Sequence, residues 1–502
     1  MDLGRHASIW LDRAPETAYP RLDGERRYDV AVIGGGITGV TAALLLARAG
    51  LSVGLVDQHV VSGGTTGHST AKVTSQHSLT YLRLRLTLGD GAAREYAEGQ
   101  EAAKDRIAAF VADDGIDCDY RQRPAYVYAA SRLQRELVQR EASAARKAGL
   151  PSTFVEAADV PLPFPTHGAM RFDDQAEFDA GRYVRGLAER LRAAGGELFE
   201  HTRARHVREG EPCTVELETG EIRADHVVVA TLMPFLDRGG YFARAFPSRS
   251  YVICARTADP PLEAMLINAG SPIRSLRDVP HEGEELLMVG GESHHVGSGK
   301  ARPERYEQLV EFARRHWDVR DVTHRWSAQD YSADDGVPFI GRLHPFSKRI
   351  QVATGFKKWG ITSGTLAGML MSDAILGREN PWSGVFSTSR IRPHVEAPRF
   401  LLENSRAGIH MVLDRVRERG GRPSEDLAPG EGDIVSHDGH KVAGYRDAEG
   451  RLHAVSTRCT HVGCQVRFNA AETTWDCPCH GSRFSVDGDI LNGPATTPLE
   501  RY

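Results

Sequence analysis

The sequence predicts an α/β chain: a nucleotide-binding domain and a substrate-binding β-sheet domain, then a small all-β domain. Three observations lead there. Tyr28-Asp29-Val30-Ala31-Val32-Ile33 is a β-rich run that breaks into Gly34-Gly35-Gly36-Ile37-Thr38-Gly39 and an apolar helix, Val40 to Ala49. A distant stretch, Arg349 to Thr354, reads as a further strand. Cys459-Thr460-His461 and Cys477-Pro478-Cys479-His480 stand among short strands and turns such as Glu449-Gly450 and Asp487-Gly488.

In chain order, residues 1–27 form an N-terminal segment with Trp10 as its one large apolar group and with Pro15 and Pro20 giving loop character. The strand, Gly-x-Gly-x-x-Gly turn (Gly34, Gly36, Gly39) and helix N-terminus that follow are the Rossmann-like geometry that lets backbone amides approach a pyrophosphate. A second strand, Ser52 to Val56, ends in Asp57, twenty-one residues after Gly36. A carboxylate there suits the hydroxyls of an adenosine ribose. The nucleotide-binding pieces fall at 28–80, 165–235 and 330–380, within a domain spanning 28–385. The helical 92–148 region and the strand-like 245–330 region build the substrate sheet and its cover. A connector, 386–425, carries Arg392-Pro393, Pro398 and an amphipathic helix from about Ala407 to Arg419, ending at Gly420-Gly421. The all-β domain occupies 426–502.

The glycine turn leaves the kind of dinucleotide open. Residues 349–364, strand then Gly355-Phe356-Lys357-Lys358-Trp359-Gly360-Ile361-Thr362-Ser363-Gly364 and a helix to about Leu376, resemble the closing segment of the D-amino-acid oxidase and glycine oxidase superfamily. Asp225 to Thr231 resembles that family's strand before its ribose-side turn. The resemblance implies FAD, with Gly355, Gly360 and Thr362 near the flavin and a helix dipole stabilising negative charge on the reduced ring. Gly64-Thr65-Thr66-Gly67-His68-Ser69-Thr70-Ala71 is similar to the Thr-Trp-His segment of dimethylglycine and sarcosine dehydrogenases, with Gly67 in place of the tryptophan. That likeness implies His68 against the flavin, either bonded covalently or as a hydrogen-bonding neighbour. Lys72, Gln76 and His77 are expected in a solvated polar loop. The superfamily oxidises amines and amino acids to imines. Its substrate-gripping lysine aligns with Thr362, so the candidates for touching substrate are Arg249, Lys357, Lys358 and Trp359.

Cys-x-His, fifteen intervening residues and Cys-x-x-His supply two thiolates and two imidazoles from two loops. A 2Fe–2S cluster with two histidines on one iron needs that set. A zinc ribbon would show two Cys-x-x-Cys knuckles instead. The loops resemble the Rieske iron–sulfur proteins, which implies Cys459, His461, Cys477 and His480 as ligands. Cys464 and Cys479 are left over, as buried free thiols or as a pair. The likeness to Rieske proteins of cytochrome bc-type complexes implies that they form a disulfide clamping the loops. Ser482 matches the family serine that bonds a cluster sulfur. Phe484 stands where the family has a tyrosine, and Gly493-Pro494 resembles the third loop, which shields the cluster. The implied potential lies within the Rieske range of about −150 to +300 mV, below its top. The pair His201 and His206 has the spacing of a Rieske oxygenase's mononuclear iron site, but no suitably placed acid precedes it, so a second iron site is rejected.

Composition agrees. The charge of −5 gives no reason to seek nucleic acid or an anionic membrane. No apolar run approaches the ~20 residues of a spanning helix, and the N-terminus lacks a signal-peptide core. A cytoplasmic location is therefore expected. Four of the seven cysteines lie in the cluster loops, and Cys118, Cys213 and Cys254 read as small buried hydrophobes. Three functional classes remain. The leading one is an FAD-dependent dehydrogenase that oxidises a small amine or amino acid. It passes electrons one at a time through the cluster to an external acceptor, a protein or quinone. The second is a flavin reductase or monooxygenase fed by the cluster from an external donor. The third is a non-catalytic electron-transfer or redox-sensing protein.

Overall fold

The computed structural model describes residues 3–13, 17–298, 301–416 and 422–502. Gly24–Ile33 runs through the middle of an eight-stranded sheet, between Val53–Val56 and Gly220–Val229 and parallel to both. Ile350–Thr354 adds in parallel to Gly220–Val229. Val30, Ala31 and Val32 are fully buried, as expected of a parallel strand covered on both faces. The helix after the glycine turn is Ile37–Arg48, and the closing helix is Gly360–Ile375. The two lie side by side. A Cβ on Gly368 would come within 2.8 Å of Thr41, so glycine there permits the contact.

A nine-stranded sheet forms the second layer. Its long members are Val319–Ala333, Ala245–Thr257, Glu284–His295 and Arg274–His281, neighbours in that order and antiparallel. The 92–148 region is not wholly helical. Helices Tyr81–Asp113 and Arg132–Lys147 flank strands Arg121–Gln122 and Ala125–Tyr128, the latter an inner strand of this sheet. The N-terminal segment is also more ordered than its prolines suggest. Arg5–His6 pairs with Val319–Ala333, and Trp10, 1% exposed in helix Ile9–Arg13, donates its indole N–H to the Ser69 carbonyl at 2.7 Å. Pro15 lies outside the described residues.

The connector helix runs Pro393–Val416, starting well before the expected Ala407. Proline is tolerated in a first helical turn because its missing N–H would be unpaired there anyway. The expected end at Gly420-Gly421 lies outside the described residues. Its base is fixed by Arg390, which grips Asp335 with contacts of 2.8 and 2.9 Å, both side chains buried. The C-terminal domain has two antiparallel sheets. One is Gly432–His437, His440–Arg446 and Leu452–Ser456, and the other is Arg467–Asn469, Thr474–Asp476, Arg483–Phe484 and Ile490–Asn492. Trp475 and Phe484 fill the space between them. Among the described residues no helix is long and apolar enough to cross a membrane.

Candidate functional site

A cavity of about 520 Å³ lies between the two large sheets, with further walls from the C-terminal domain. Its nucleotide end is the glycine turn. Gly34 has φ +112°, and a Cβ there would sit 2.5 Å from the Ala230 carbonyl oxygen. On Gly39 a Cβ would sit 1.9 Å from the Gly34 carbonyl oxygen, so this glycine lets helix pack on strand. Gly36 at the N-cap of helix Ile37–Arg48 offers no side chain, the Ile37 N–H donates to Thr66 Oγ1 at 3.2 Å, and this helix N-terminus faces the cavity. Asp57 lines the same end. Its carboxylate accepts the Gly35 and His59 backbone N–H groups, each at 2.7 Å, which fixes its orientation while burial raises its pKa. Glycine cradle, helix N-terminus and oriented carboxylate fit the pyrophosphate and ribose of FAD.

The other end is formed by the closing helix and the nine-stranded sheet. Trp359, Gly360 and Thr362 line it at the start of the closing helix, again without a side-chain cap. Gly355, with φ +81°, packs against Ala333 and shapes the turn rather than the lining. Trp359 stacks on His77 with ring centroids 4.8 Å apart. His77 bonds the Tyr96 hydroxyl at 2.7 Å, and burial pushes its pKa down to about 3, so it is a neutral ring. His77, Gln76 and Lys72 are thus buried, not in a solvated loop. The Lys72 ammonium reaches the cavity wall and donates to the Leu266 carbonyl at 2.9 Å. His68 lines the cavity, its Nδ1 2.8 Å from the Gly64 carbonyl oxygen. A Cβ on Gly67 would lie 2.3 Å from the Ser62 carbonyl, so the tryptophan of the similar segment cannot sit here.

The candidate cations separate. Lys358 enters the cavity, where its ammonium donates to Ser250 at 2.7 Å and to Ser293. Burial from bulk solvent pushes its pKa down to about 8, against the pull of Asp330. Asp330, also lining, is pushed up to about 6 by burial, although it accepts the Lys358 backbone N–H. Arg249 is 1% exposed, lines the cavity, and donates to Ser327 at 2.6 Å and Gln329 at 3.0 Å. Lys357 lies outside the lining, near Arg83 and Arg399, with its pKa pushed down to about 7 by burial. Asp330, Ser250, Ser293 and Gln329 carried no sequence signal that sets them apart from other strand residues.

In the C-terminal domain the four predicted ligands come together as two pairs. The Cys459 and Cys477 thiols hydrogen-bond to each other, and the His461 and His480 rings sit perpendicular with centroids 5.1 Å apart. Nδ1 of both histidines is buried without a hydrogen-bond partner. Paired thiols beside paired imidazoles with free inward nitrogens suit a cluster that takes sulfur on one iron and nitrogen on the other. Cys464 and Cys479 form a disulfide between the two ligand loops. Ser482 is buried, accepts the Ala495 N–H at 3.1 Å and sits beside Cys459. His201 and His206 are split by the chain: His206 lies in strand Ala204–Arg208, and His201 sits in the preceding bend at φ +49°.

The ligand loops press against the rest of the chain. Tyr331 donates to the His480 carbonyl at 3.1 Å, and Gln329 Nε2 donates to the Gly481 carbonyl at 2.7 Å. Phe242 packs edge-on to both ligand rings, 5.5 and 5.0 Å between centroids, and Asp237 meets His461 Nε2 at 2.9 Å. Glu472 and Arg483 reach the cavity wall. Burial would raise the Glu472 pKa, but His6, Arg249 and Arg483 hold it down to about 2.

Comparison with known proteins agrees with this geometry. Residues 29–374 match the family described as FAD dependent oxidoreductase, and residues 422–502 match the Rieske [2Fe-2S] domain. A Bacillus subtilis (strain 168) protein described as a Rieske 2Fe-2S iron-sulfur protein, YhfW, is 36% identical over 98% of this chain and 97% of its own length. Gamma-glutamylputrescine oxidoreductase of Escherichia coli (strain K12) is 24% identical, covering 70% of this chain and 84% of that protein. The crystal structure of glycine oxidase from Geobacillus kaustophilus superposes with a TM-score of 0.62 at 20% identity, over 73% of this chain and 99% of that one. A glycine cradle, a closing helix and two thiol–imidazole loops on one chain therefore have a common explanation: it belongs to the FAD-dependent oxidoreductase family and carries a Rieske 2Fe–2S domain.

Proposed function

We propose that this enzyme oxidises a small amine or amino acid at its flavin site and passes the electrons singly through the cluster to an external acceptor, a protein or a quinone. The observation that carries the reading is one shared strand. In Val319–Ala333, residues Ser327 to Asp330 line the cavity, while Gln329 and Tyr331 hold the backbone carbonyls of the second cluster-ligand loop. Bound FAD supplies hydride acceptance and one-electron release, the combination that links C–H oxidation to an iron–sulfur centre. The chain's own residues do the rest. Lys358 and Arg249 offer positive charge for a substrate carboxylate, and Asp330 offers a carboxylate able to hold or take an amine proton near its pKa of about 6.

An anaerobic redox titration that follows flavin absorbance and the reduced-cluster EPR signal together tests the direction. A cluster potential above the flavin's supports outward flow. A cluster below the flavin refutes it and supports reduction by an external donor. Bleaching of the flavin by candidate amines without oxygen then identifies the substrate class.

A further inference from the structure

The nucleotide end of the cavity is not closed by the flavoprotein alone. Gln58 and His59 directly follow Asp57, and both turn to the C-terminal domain. Gln58 Nε2 donates to the Leu491 carbonyl at 3.3 Å, and His59 Nε2 lies 3.4 Å from the same oxygen. Arg203 donates to the neighbouring Ile490 carbonyl at 2.9 Å. Arg203 follows Thr202, whose N–H donates to the Asp57 carbonyl at 2.8 Å. Three flavoprotein donors thus converge on two adjacent carbonyls beside the ribose carboxylate. Leu491, Asn492, Gly493, Ala495 and Thr496 line the cavity together with Asp57 and Gln58.

We propose that the FAD site of this chain is built by two domains, with the Rieske segment Ile490 to Thr496 as the wall over the adenosine half. The segment has a second attachment that gives this wall a consequence. Ile490–Asn492 is the edge strand paired with Arg483–Phe484, and Ala495 donates its N–H to Ser482 of the second cluster-ligand loop at 3.1 Å. The stretch that covers the nucleotide is therefore the stretch that buttresses the cluster loop. A ligand that binds only the assembled wall stabilises that assembly, and the assembly in turn tightens the ligand by the same factor. FAD binding and docking of the Rieske domain are linked equilibria in this chain. The role expected for Gly493-Pro494 from sequence, shielding of the cluster, covers only one face of this loop.

The test is hydrogen–deuterium exchange on the full chain with its cluster in place, first stripped of flavin and then reloaded with FAD. The expected result is that FAD slows amide exchange in residues 490–496 by about tenfold, inside the roughly 5- to 150-fold range of coupled sites. The remote hairpin Gly432–His437 and His440–Arg446 serves as the control and keeps its rate. Unchanged exchange in 490–496, with slowing confined to the Gly34 to Gly39 turn, overturns the proposal. Wild-type protein suffices, so no variant's folding enters the result.

Discussion

The phenolic hydroxyl of Tyr331 donates to the His480 carbonyl oxygen at 3.1 Å and accepts from Gln329 Nε2 at the same distance. One buried tyrosine thus joins a strand of the flavin cavity to a cluster-ligand loop. Tyr331→Phe leaves the Gln329 N–H and the His480 carbonyl each short of a partner inside the interface. The expected cost is about 1–3 kcal/mol, read as a lower urea midpoint with the same slope. An unchanged midpoint would mean that the contact does not form in solution.

Lys358 is expected to set a pH limit on substrate binding. With its pKa pushed down to about 8, the ammonium is present below that pH and lost as pH rises through it. KM for an amine substrate bearing a carboxylate should climb above pH 8, and Lys358→Met should raise KM at pH 7 roughly 10- to 100-fold, the worth of one charged hydrogen bond. Stability moves the opposite way. The unfolded lysine keeps its proton to its ordinary 10.5, so between about 8 and 10.5 the unfolded state binds more protons and folding gains as pH rises. A KM flat across pH 7–9 would rule Lys358 out as the carboxylate contact.

Ser482 and Phe484 should tune the cluster. Removing the hydroxyl beside Cys459 in Ser482→Ala lowers the potential, and adding one in Phe484→Tyr raises it, since hydrogen bonds toward cluster sulfur favour the reduced state. Protein-film voltammetry on both variants is the check. No movement in either would detach these positions from the cluster.

His68 is expected to neighbour the flavin without bonding to it. Its segment departs from the covalent pattern where Gly67 is packed against Ser62 and Leu11. Acid precipitation should leave the yellow colour in the supernatant. Colour retained in the pellet, and lost in His68→Ala, would establish the covalent bond instead.

The Asp335–Arg390 pair anchors the connector. Both side chains are buried, and Arg390 also donates to the Pro338 and Phe386 carbonyls at 3.0 Å. Arg390→Met leaves a buried carboxylate with only the Arg392 guanidinium, at 2.9 Å, and the Val337 backbone N–H, at 2.9 Å. A loss of about 3–5 kcal/mol is expected in chemical unfolding. A loss below 1 kcal/mol would show that solvent reaches the pair.

What the sequence made legible was local. The glycine turn, Asp57 and the four predicted cluster ligands each sit within short stretches whose spacing is set by one helix or one loop, so the pattern carries the geometry. Contacts across long separations left no such trace. Gln329 and Gly481 are 152 residues apart, and nothing in either neighbourhood announces the other. Lys357 and Lys358 are adjacent and chemically identical, yet a turn with φ of +53° and +70° sends one toward Arg83 and the other into the cavity. The buried state of Lys72 and His77 escaped for a related reason: polar residues read as solvated unless the fold supplies partners, and theirs come from strand Met265–Asn268 and helix Tyr81–Asp113.

The wall formed by Leu491 to Thr496 has a consequence for how the protein is made. During synthesis the glycine cradle, both large sheets and the closing helix leave the ribosome well before that segment, and domains fold in the order they emerge. A nascent flavoprotein would hold an open pocket, able to sample the nucleotide and release it again. Retention would tighten once the downstream domain has folded and settled onto the rim. Cells short of iron or sulfide for assembling that domain would then accumulate protein that holds its flavin about tenfold more weakly.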